Sequence, residues 1–281
     1  MSLTDAQWAR IEPLLPDRSP RRGGRWRDHR EVIDAIAFKY RTGTPWTELP
    51  ERFGSWKGAH NRLRIWAVDG TWEKVFTALL AQADADGDLD WVVAVDSTIV
   101  RAHQHAAEPV KRGAPAGEPD HHALGRSRGG LTTKIHLAAD GRRRPLAFAV
   151  TPGQFGDAPA FEQVMARIRV PRPIGRPRTT PDAVLADKAY SSRAIRRHPR
   201  RRGIRAVIPQ PADQAANRKR LGSRGGRPPA YDRETYRQRN TVERAINKIK
   251  QWRGLATRYD KTATIYLAGL HLAAIHIWSA R

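Results

Sequence analysis

Between Tyr236 and Lys250 the chain gathers groups with chemical reach on one side of a helical wheel. The segment Tyr-Arg-Gln-Arg-Asn-Thr-Val-Glu-Arg-Ala-Ile-Asn-Lys-Ile-Lys holds no proline or glycine, so it predicts one continuous helix. At about 100° per residue, Tyr236, Arg239, Glu243, Asn247 and Lys250 fall within a sector of roughly 80°. Val242, Ala245, Ile246 and Ile249 lie opposite and form an apolar face. A carboxylate flanked by cations and an aromatic ring suits a metal ion beside phosphates. The same spacing also suits a solvated face with an Arg239–Glu243 pair at i, i+4. The helix alone does not decide between them.

A metal site would need partner carboxylates, and two stand upstream. Trp91-Val-Val-Ala-Val-Asp96 and Ala183-Val-Leu-Ala-Asp187 are short apolar runs that each end in an aspartate. Taken singly, an Asp at a strand end often caps the next turn. Together with Glu243 they make three carboxylates in a chain with no cysteine and no paired-histidine spacing, a donor set for hard cations such as Mg2+ or Mn2+. Two such ions about 3.5–4 Å apart can activate water and stabilise the leaving oxygen of a phosphodiester. Other candidates are weaker. His103, His105, His121, His122 and His136 lack the ligand spacing of a zinc site, although His103 stands close to Asp96 in sequence. Asp157 reads as the N-cap of a helix. Ser97, Thr98 and Ser191 have no base at readable spacing, which argues against a serine hydrolase.

The elements that must position these groups divide near residue 85. From Leu3 to about Ala83 the pattern is helical: Thr4 caps a first helix, Asp28 and Glu31 open a second, and Gly43 closes it. Pro45-Trp46 opens a short helix ending near Phe53. Gly54 then turns the chain and Ser55 starts a longer helix through Ala67. This spacing fits a helix-turn-helix presenting Lys57, His60, Asn61, Arg62 and Arg64 outward, and equally an ordinary helical bundle with a basic surface. Trp46, Trp56, Trp66 and Trp72 read as core. After an acidic linker from Asp84 to Asp90, strands are expected at 91–100, 132–139, 145–150, 183–186 and 204–208, with helices at 159–168, after Ser191, and at 236–250. Residues 104–130 read as a long mobile loop. Residues 171–181 and 211–233 read as basic loops.

Composition narrows the partner. With 51 Lys and Arg against 28 Asp and Glu, the formal net charge is +23, an excess that calls for a polyanion. The charge is spread over many segments, favouring nucleic acid over a membrane surface. Arg142 to Arg144 and Arg196 to Arg205 suit phosphate contacts. The absence of cysteine fits a reducing cytoplasm. The first residues lack the blocks of a signal peptide, and the apolar stretch 265–278 is too short to span a bilayer.

The order strand, strand, strand, helix, strand, helix, strand, helix is that of the ribonuclease H-like fold. The motifs match one family in the same order. Ala94-Val-Asp-Ser-Thr-Ile-Val-Arg-Ala-His103, Ala186-Asp-Lys-Ala-Tyr190 and Tyr236-x2-Arg-x3-Glu-x6-Lys250 resemble the three blocks of bacterial insertion-sequence DDE transposases of the branch with a Tyr-Arg-Glu-Lys signature. Ala189 stands where that family more often has glycine. Ala256 to Lys261 and the helical region from Leu3 to Trp66 are similar to the family as well.

The resemblance implies an α/β chain with an all-helical DNA-binding domain at 1–85 and a ribonuclease H-like catalytic domain at 86–281. It implies Asp96, Asp187 and Glu243 as ligands of two Mg2+ or Mn2+ ions. Tyr236, Arg239 and Lys250 would be DNA contacts near the cut, and Asn61, Arg62 and Arg64 DNA contacts of the helical domain. The expected activity is cleavage of element ends followed by joining of the 3′-hydroxyls to target DNA. The expected partner is double-stranded DNA, with a homodimer or larger assembly on it, in the cytoplasm at the nucleoid. The interval from Asp187 to Glu243 leaves no room for the large β-rich insertion of some relatives, which leaves a hairpin intermediate open. Two alternatives also stay open: a non-catalytic DNA-binding regulator, and a metal-dependent nuclease that cuts without joining.

Overall fold

The computed structural model describes residues 2–19, 26–107 and 114–280. Four helices come first. α1 (Asp5–Ile11) starts at Thr4, whose hydroxyl accepts from the Gln7 amide while the Gln7 side chain returns to the Thr4 amide. α2 (His29–Thr42) is capped by the Asp28 carboxylate and ends on Gly43, in the left-handed region at φ 76°, where a Cβ is costly. Two 3-10 turns, Trp46–Glu48 and Glu51–Phe53, replace the single short helix expected there, because Pro50 cannot donate the hydrogen bond that would join them. α3 (Trp56–Val68) and α4 (Thr71–Ala85) complete the helical part.

The sheet follows. Its strands are β1 (Val92–Ala102), the short β2 (Gly125–Ser127), β3 (Gly130–Ala139) and β4 (Pro145–Pro152). Helix α5 (Asp157–Arg167) leads to β5 (Ala183–Leu185), and α6 (Arg193–Arg201) leads to β6 (Arg205–Val207). The principal strands lie in the order β4-β3-β1-β5-β6, with β3 antiparallel to β1 and β4, and β1, β5 and β6 parallel. That arrangement is the ribonuclease H-like topology the element order predicts. β1 is central and β5 is its parallel neighbour, connected through α5, as a crossover requires.

Two segments read as loops are built differently. Residues 211–233 contain α7 (Ala212–Arg220), a helix with no buried residue, so no apolar stripe announces it. Residues 114–124, expected as part of a mobile loop, are pinned. The Glu118 carboxylate accepts from the amides of Ala263 and Thr264. The buried Arg258 guanidinium donates to the carbonyls of His122 and Ala123.

Next come α8 (Arg233–Tyr236), α9 (Asn240–Lys250), α10 (Arg253–Ala256), β7 (Thr257–Arg258, beside the end of β1) and α11 (Ala263–Ser279). α11 is buried on nearly every side. It packs against α3 and α4 on one flank and β4 on the other, and the Trp278 indole donates to the Pro145 carbonyl at 2.7 Å. One continuous apolar core therefore runs from the N-terminal helices, including Trp66 and Trp72, into the sheet. Among the described residues no helix is long and apolar enough to cross a membrane.

Candidate active site

Backbone register brings the two aspartates together. Val92, Val93 and Ala94 of β1 pair in parallel with Ala183, Val184 and Leu185 of β5. Continuing that register by two residues sets Asp96 beside Asp187, where β5 has ended and its chain turns. The Asp187 carboxylate accepts from the Ala189 amide and so holds its own turn.

The third carboxylate comes from α9, which packs its Val242, Ala245, Ile246 and Ile249 face into the core over β1 and β3. The predicted single helix from Tyr236 to Lys250 is corrected here. α8 ends at Tyr236, residues 237–239 form a 3-10 turn, and α9 begins at Asn240. The apolar face required for a continuous buried helix starts only at Val242, and before it Arg239 is held from the sheet side. Glu243 consequently lies in the first turn of α9, where the positive end of the helix dipole favours a carboxylate.

Arg239 binds the pieces. One terminal nitrogen donates to Asp96 Oδ2 at 2.8 Å and the other to Glu243 Oε1 at 2.8 Å. The electrostatics reflect the crowding. Burial pushes the Asp96 carboxyl above its ordinary range. The Ser97 amide and Arg239 pull it down, while Asp187 and Glu243 push it up again, with a net rise. Burial alone would lower the Arg239 guanidinium, but Asp96 and Glu243 outweigh it and hold the charge in place. The Tyr236 phenol is raised by burial, with Asp187 and Glu243 among the charges acting on it. Lys250 points its Nζ at the Ile99 carbonyl of β1, 3.4 Å away. The structure thus brings Asp96, Asp187, Tyr236, Arg239 and Glu243 within electrostatic reach of one another, while Lys250 lies further along β1 at Ile99.

Among the described residues no three His, Cys, Asp or Glu side chains lie close enough to share one ion. The donor chemistry nevertheless fits a hard divalent cation, since the oxygens are all carboxylate and one guanidinium spans two of them. Asp96, Asp187 and Glu243 are the side chains that could hold it, and an ion shared by Asp96 and Glu243 requires the Arg239 fork to withdraw.

A second polar network lies on the other face of β1, and sequence reasoning missed it. Ser97 Oγ donates to Asp157 Oδ1 at 2.6 Å, and Lys134 Nζ reaches the same oxygen at 2.8 Å and the Phe155 carbonyl at 2.7 Å. Asp157 is the first residue of α5 and Gly156 stands at the N-cap, which corrects the expected capping role. Burial raises the Asp157 carboxyl, but the Lys134 and Ser97 hydrogen bonds overcome it and the net shift is downward. Ser97 follows Asp96, so this network fixes the strand that carries the first carboxylate. The alternation of β3 around Lys134 was the available signal.

Elsewhere several expected contacts turn inward. Arg62, read as outward-facing, is 7% exposed. It lies over the Trp26 ring, shares a 2.9 Å hydrogen bond with His29, and has its pKa lowered by burial to about 10. The wheel position next to Leu63 fits the neighbouring aromatic ring better than solvent does. Asn61 is exposed and Arg64 is half-buried. Arg144 is also buried, paired with Asp88 and Asp140. Arg196 donates to the carbonyls of Ser191, Ile208 and Pro209, and Arg202 to that of Thr179. These cations stitch loops together. His136 is buried against Thr151 and its pKa is lowered by burial to about 4, while the His103 ring packs at a tilt against those of Tyr259 and His105.

Comparison with known proteins agrees with this layout. Residues 87–278 match the model of the family "Transposase DDE domain", and residues 3–76 match that of "Putative transposase of IS4/5 family". The chain is 37% identical over 105 residues, 37% of its length and 80% of the relative's, to "Uncharacterized protein y4sN" of Sinorhizobium fredii. It is 30% identical over 148 residues to "Putative transposase for insertion sequence element IS6501" of Brucella ovis, covering 53% of this chain and 98% of that protein. Among solved structures it is similar to the Mos1 transposase paired-end complex with left transposon end, at 14% identity and a TM-score of 0.25, covering 83% of this chain and 82% of that one. That superposition is loose, so the fold assignment rests on strand order. The match across the sheet and the helices that carry Asp96, Asp187 and Glu243 makes this chain a member of the DDE-domain transposase family.

Proposed function

We propose that this transposase binds the terminal inverted repeats of its own insertion sequence, hydrolyses the phosphodiester at each end, and joins the freed 3′-hydroxyls to target DNA. The observation that carries this reading is Arg239 bridging Asp96 of β1 and Glu243 of α9, with Asp187 following the neighbouring strand β5. The three carboxylates would hold Mg2+ or Mn2+, which when bound supplies Lewis-acid stabilisation of the attacking and leaving oxygens. Arg239 keeps Asp96 and Glu243 neutralised and spaced until a cation and a phosphate compete for the same partners. Its guanidinium, released, is then placed to take a phosphate oxygen. Tyr236 and Lys250 flank that position. We assign end recognition to residues 1–85, with Asn61 and Arg64 as its DNA contacts, and chemistry to residues 86–281. The change from helices to sheet at this boundary supports that division. The working form is a homodimer or larger assembly on double-stranded DNA in the bacterial cytoplasm.

The test is strand transfer. A labelled duplex ending at the exposed 3′-hydroxyl of the element is incubated with supercoiled plasmid, the protein and Mn2+. Label joined covalently to plasmid is the expected product. Nicking of uncut ends without any joined product would reduce the enzyme to a nuclease, and no preference for the element end over random duplex would remove the transposase reading.

A further inference from the structure

We infer that the turn at residues 237–239 is a switch that couples cation entry at the carboxylates to the arrival of a DNA phosphate, with Arg239 as its positioning residue. The inference rests on the functional reading above and adds a regulation of that site.

Local sequence and structure disagree at this turn. Residues 236–250 contain no proline or glycine, so nothing local forbids a continuous helix. The backbone is already close to one. Tyr236, Arg237, Arg239 and Asn240 all lie in the right-handed helical region, with ψ of −28°, −27°, −31° and −11°. An α-helix takes ψ near about −42°, so rotations of roughly 10–30° per residue would join α8 to α9. As the turn stands, the Asn240 amide is directed at the Gln238 carbonyl, only two residues back.

What holds the turn open comes from far away in sequence. Arg239 donates to Asp96 Oδ2 of β1 and to Glu243 Oε1 of α9, each at 2.8 Å. That pose is incomplete, because its Nε is buried and meets no hydrogen-bond partner among the described residues. A buried donor left unmet is costly. The guanidinium also stands between the two carboxylates that a cation would share. A phosphate oxygen pair offers it a bidentate partner elsewhere, and a divalent cation replaces it between Asp96 and Glu243. Each event removes an obstacle to the other, so the two ligands bind cooperatively.

Release also reshapes the site. A 3-10 turn rises about 2.0 Å and rotates about 120° per residue, against about 1.5 Å and 100° in an α-helix. Converting three residues therefore shortens the segment by about 1.5 Å and turns α8 by about 60° relative to α9. α8 is free to follow, since none of its residues is buried, whereas α9 is anchored by Val242, Ala245, Ile246 and Ile249. The rotation carries Tyr236 onto the face that holds Glu243, two helical turns further on.

The experiment measures Mn2+ binding to the full chain, by electron paramagnetic resonance of the free ion, with and without a duplex carrying one element end. Duplex should tighten Mn2+ binding to the wild type by about 10-fold, within the usual range for coupled sites. Arg239→Gln and Arg239→Lys should each gain most of that factor with no DNA present, since neither side chain spans both carboxylates. Arg237→Gln, which removes a charge of the same turn that pairs with Glu234, should match wild type. Hydrogen exchange read by mass spectrometry is the second measurement. Without any ligand, amides 237–241 should exchange more slowly in Arg239→Lys than in wild type as helical bonds form, whereas loss of a simple tether would speed them. Arg239→Lys decides the matter if Arg239→Gln does not fold. Unchanged Mn2+ affinity in the Arg239 variants overturns the switch, as does faster exchange in Arg239→Lys. A gain that Arg239→Lys lacks, or that Arg237→Gln shares, overturns it in favour of charge alone. Wild type that binds Mn2+ equally with and without duplex overturns the coupling and leaves the metal reading standing. Wild type that binds no Mn2+ in either state removes the functional reading, and the switch with it.

Discussion

Arg258 is the position at which a single substitution should cost most without touching the carboxylate edge. Its side chain is fully buried, and it donates to the carbonyls of Asp260 (2.8 Å), His122 (2.8 Å), Lys261 (3.3 Å) and Ala123 (3.3 Å) and to Thr133 Oγ1 (2.7 Å). Arg258→Met keeps much of the volume and removes every donor. Ala123 retains the Thr133 hydroxyl, so three carbonyls lose this donor at about 1–3 kcal/mol each, which brackets roughly 3–9 kcal/mol. The buried Asp260 carboxylate loses its guanidinium neighbour and keeps the Tyr40 hydroxyl. The guanidinium acts on that carboxylate through its charge, without an ion pair between the side chains, so the cost of breaking a buried ion pair, about 3–5 kcal/mol, is an upper bracket for this loss. The overlap of the two ranges, about 3–5 kcal/mol, is the expected loss. For 281 residues the unfolding entropy is about 0.6 kcal/mol/K, so the melting temperature should drop by roughly 5–8 °C. Arg258→Lys should not rescue it, because an ammonium cannot reach the fork's partners. Scanning calorimetry gives the shift, and limited proteolysis should show new cuts at 114–124. A shift under about 1 °C with no new cut would refute the idea that Arg258 pins this segment.

Acid should destabilise the fold through buried histidines. Burial lowers His136 and His276 to about 4 and His271 to about 3, so below pH 6.5 the unfolded chain binds protons that the folded chain refuses. Stability therefore falls as pH drops from about 6.5 toward 4, by up to about 4 kcal/mol per pH unit for three such groups, and urea midpoints that stay level from pH 7 to 5 would contradict it. Gly254→Ala should cost about 1–3 kcal/mol by overpacking, because its new Cβ would meet the Tyr40 Cα at 3.0 Å and the Tyr40 carbonyl oxygen at 3.1 Å; an unchanged melting temperature would show that α2 and α10 yield. Asn61→Ala with Arg64→Ala in the full chain should reduce the preference for an element end over random duplex, whereas Arg62→Ala should lower stability. An equal loss of preference with Arg62→Ala at wild-type stability would reverse that assignment.

The sheet was readable because β1 opens with, and β5 consists of, a short buried apolar run. The aspartate after the run follows the end of β5, whereas in β1 the strand continues past Asp96 to Ala102. Periodicity of two or 3.6 carried those elements, and the parallel partnership of β1 and β5 follows from the crossover between them. What stayed hidden depends on contacts far apart in sequence. Arg62 and Arg144 look like any exposed arginine until Trp26, His29, Asp88 and Asp140 enclose them. The break at 237–239 has no proline or glycine to announce it, since it is Arg239 reaching back to Asp96, 143 residues earlier, that ties it to the sheet. The pinned segment at 114–124 is rich in glycine, proline and charge, and its order comes from Arg258 and Glu118. In the candidate site the carboxylates were legible as a set, and the guanidinium between them was legible only as a neighbour of Glu243.

The most direct test is cleavage of a supercoiled plasmid carrying both element ends, with wild type, Asp96→Asn and Glu243→Gln compared in Mg2+, Mn2+ and chelator. Each substitution keeps shape while removing one negative charge from the ion's ligands. Nicks at the end junctions should appear with wild type in either metal and vanish in chelator, and both variants should lose at least about 100-fold in rate while still binding the ends. Cutting by Glu243→Gln at the wild-type rate, or wild-type cutting that ignores chelator, would contradict the three-carboxylate mechanism.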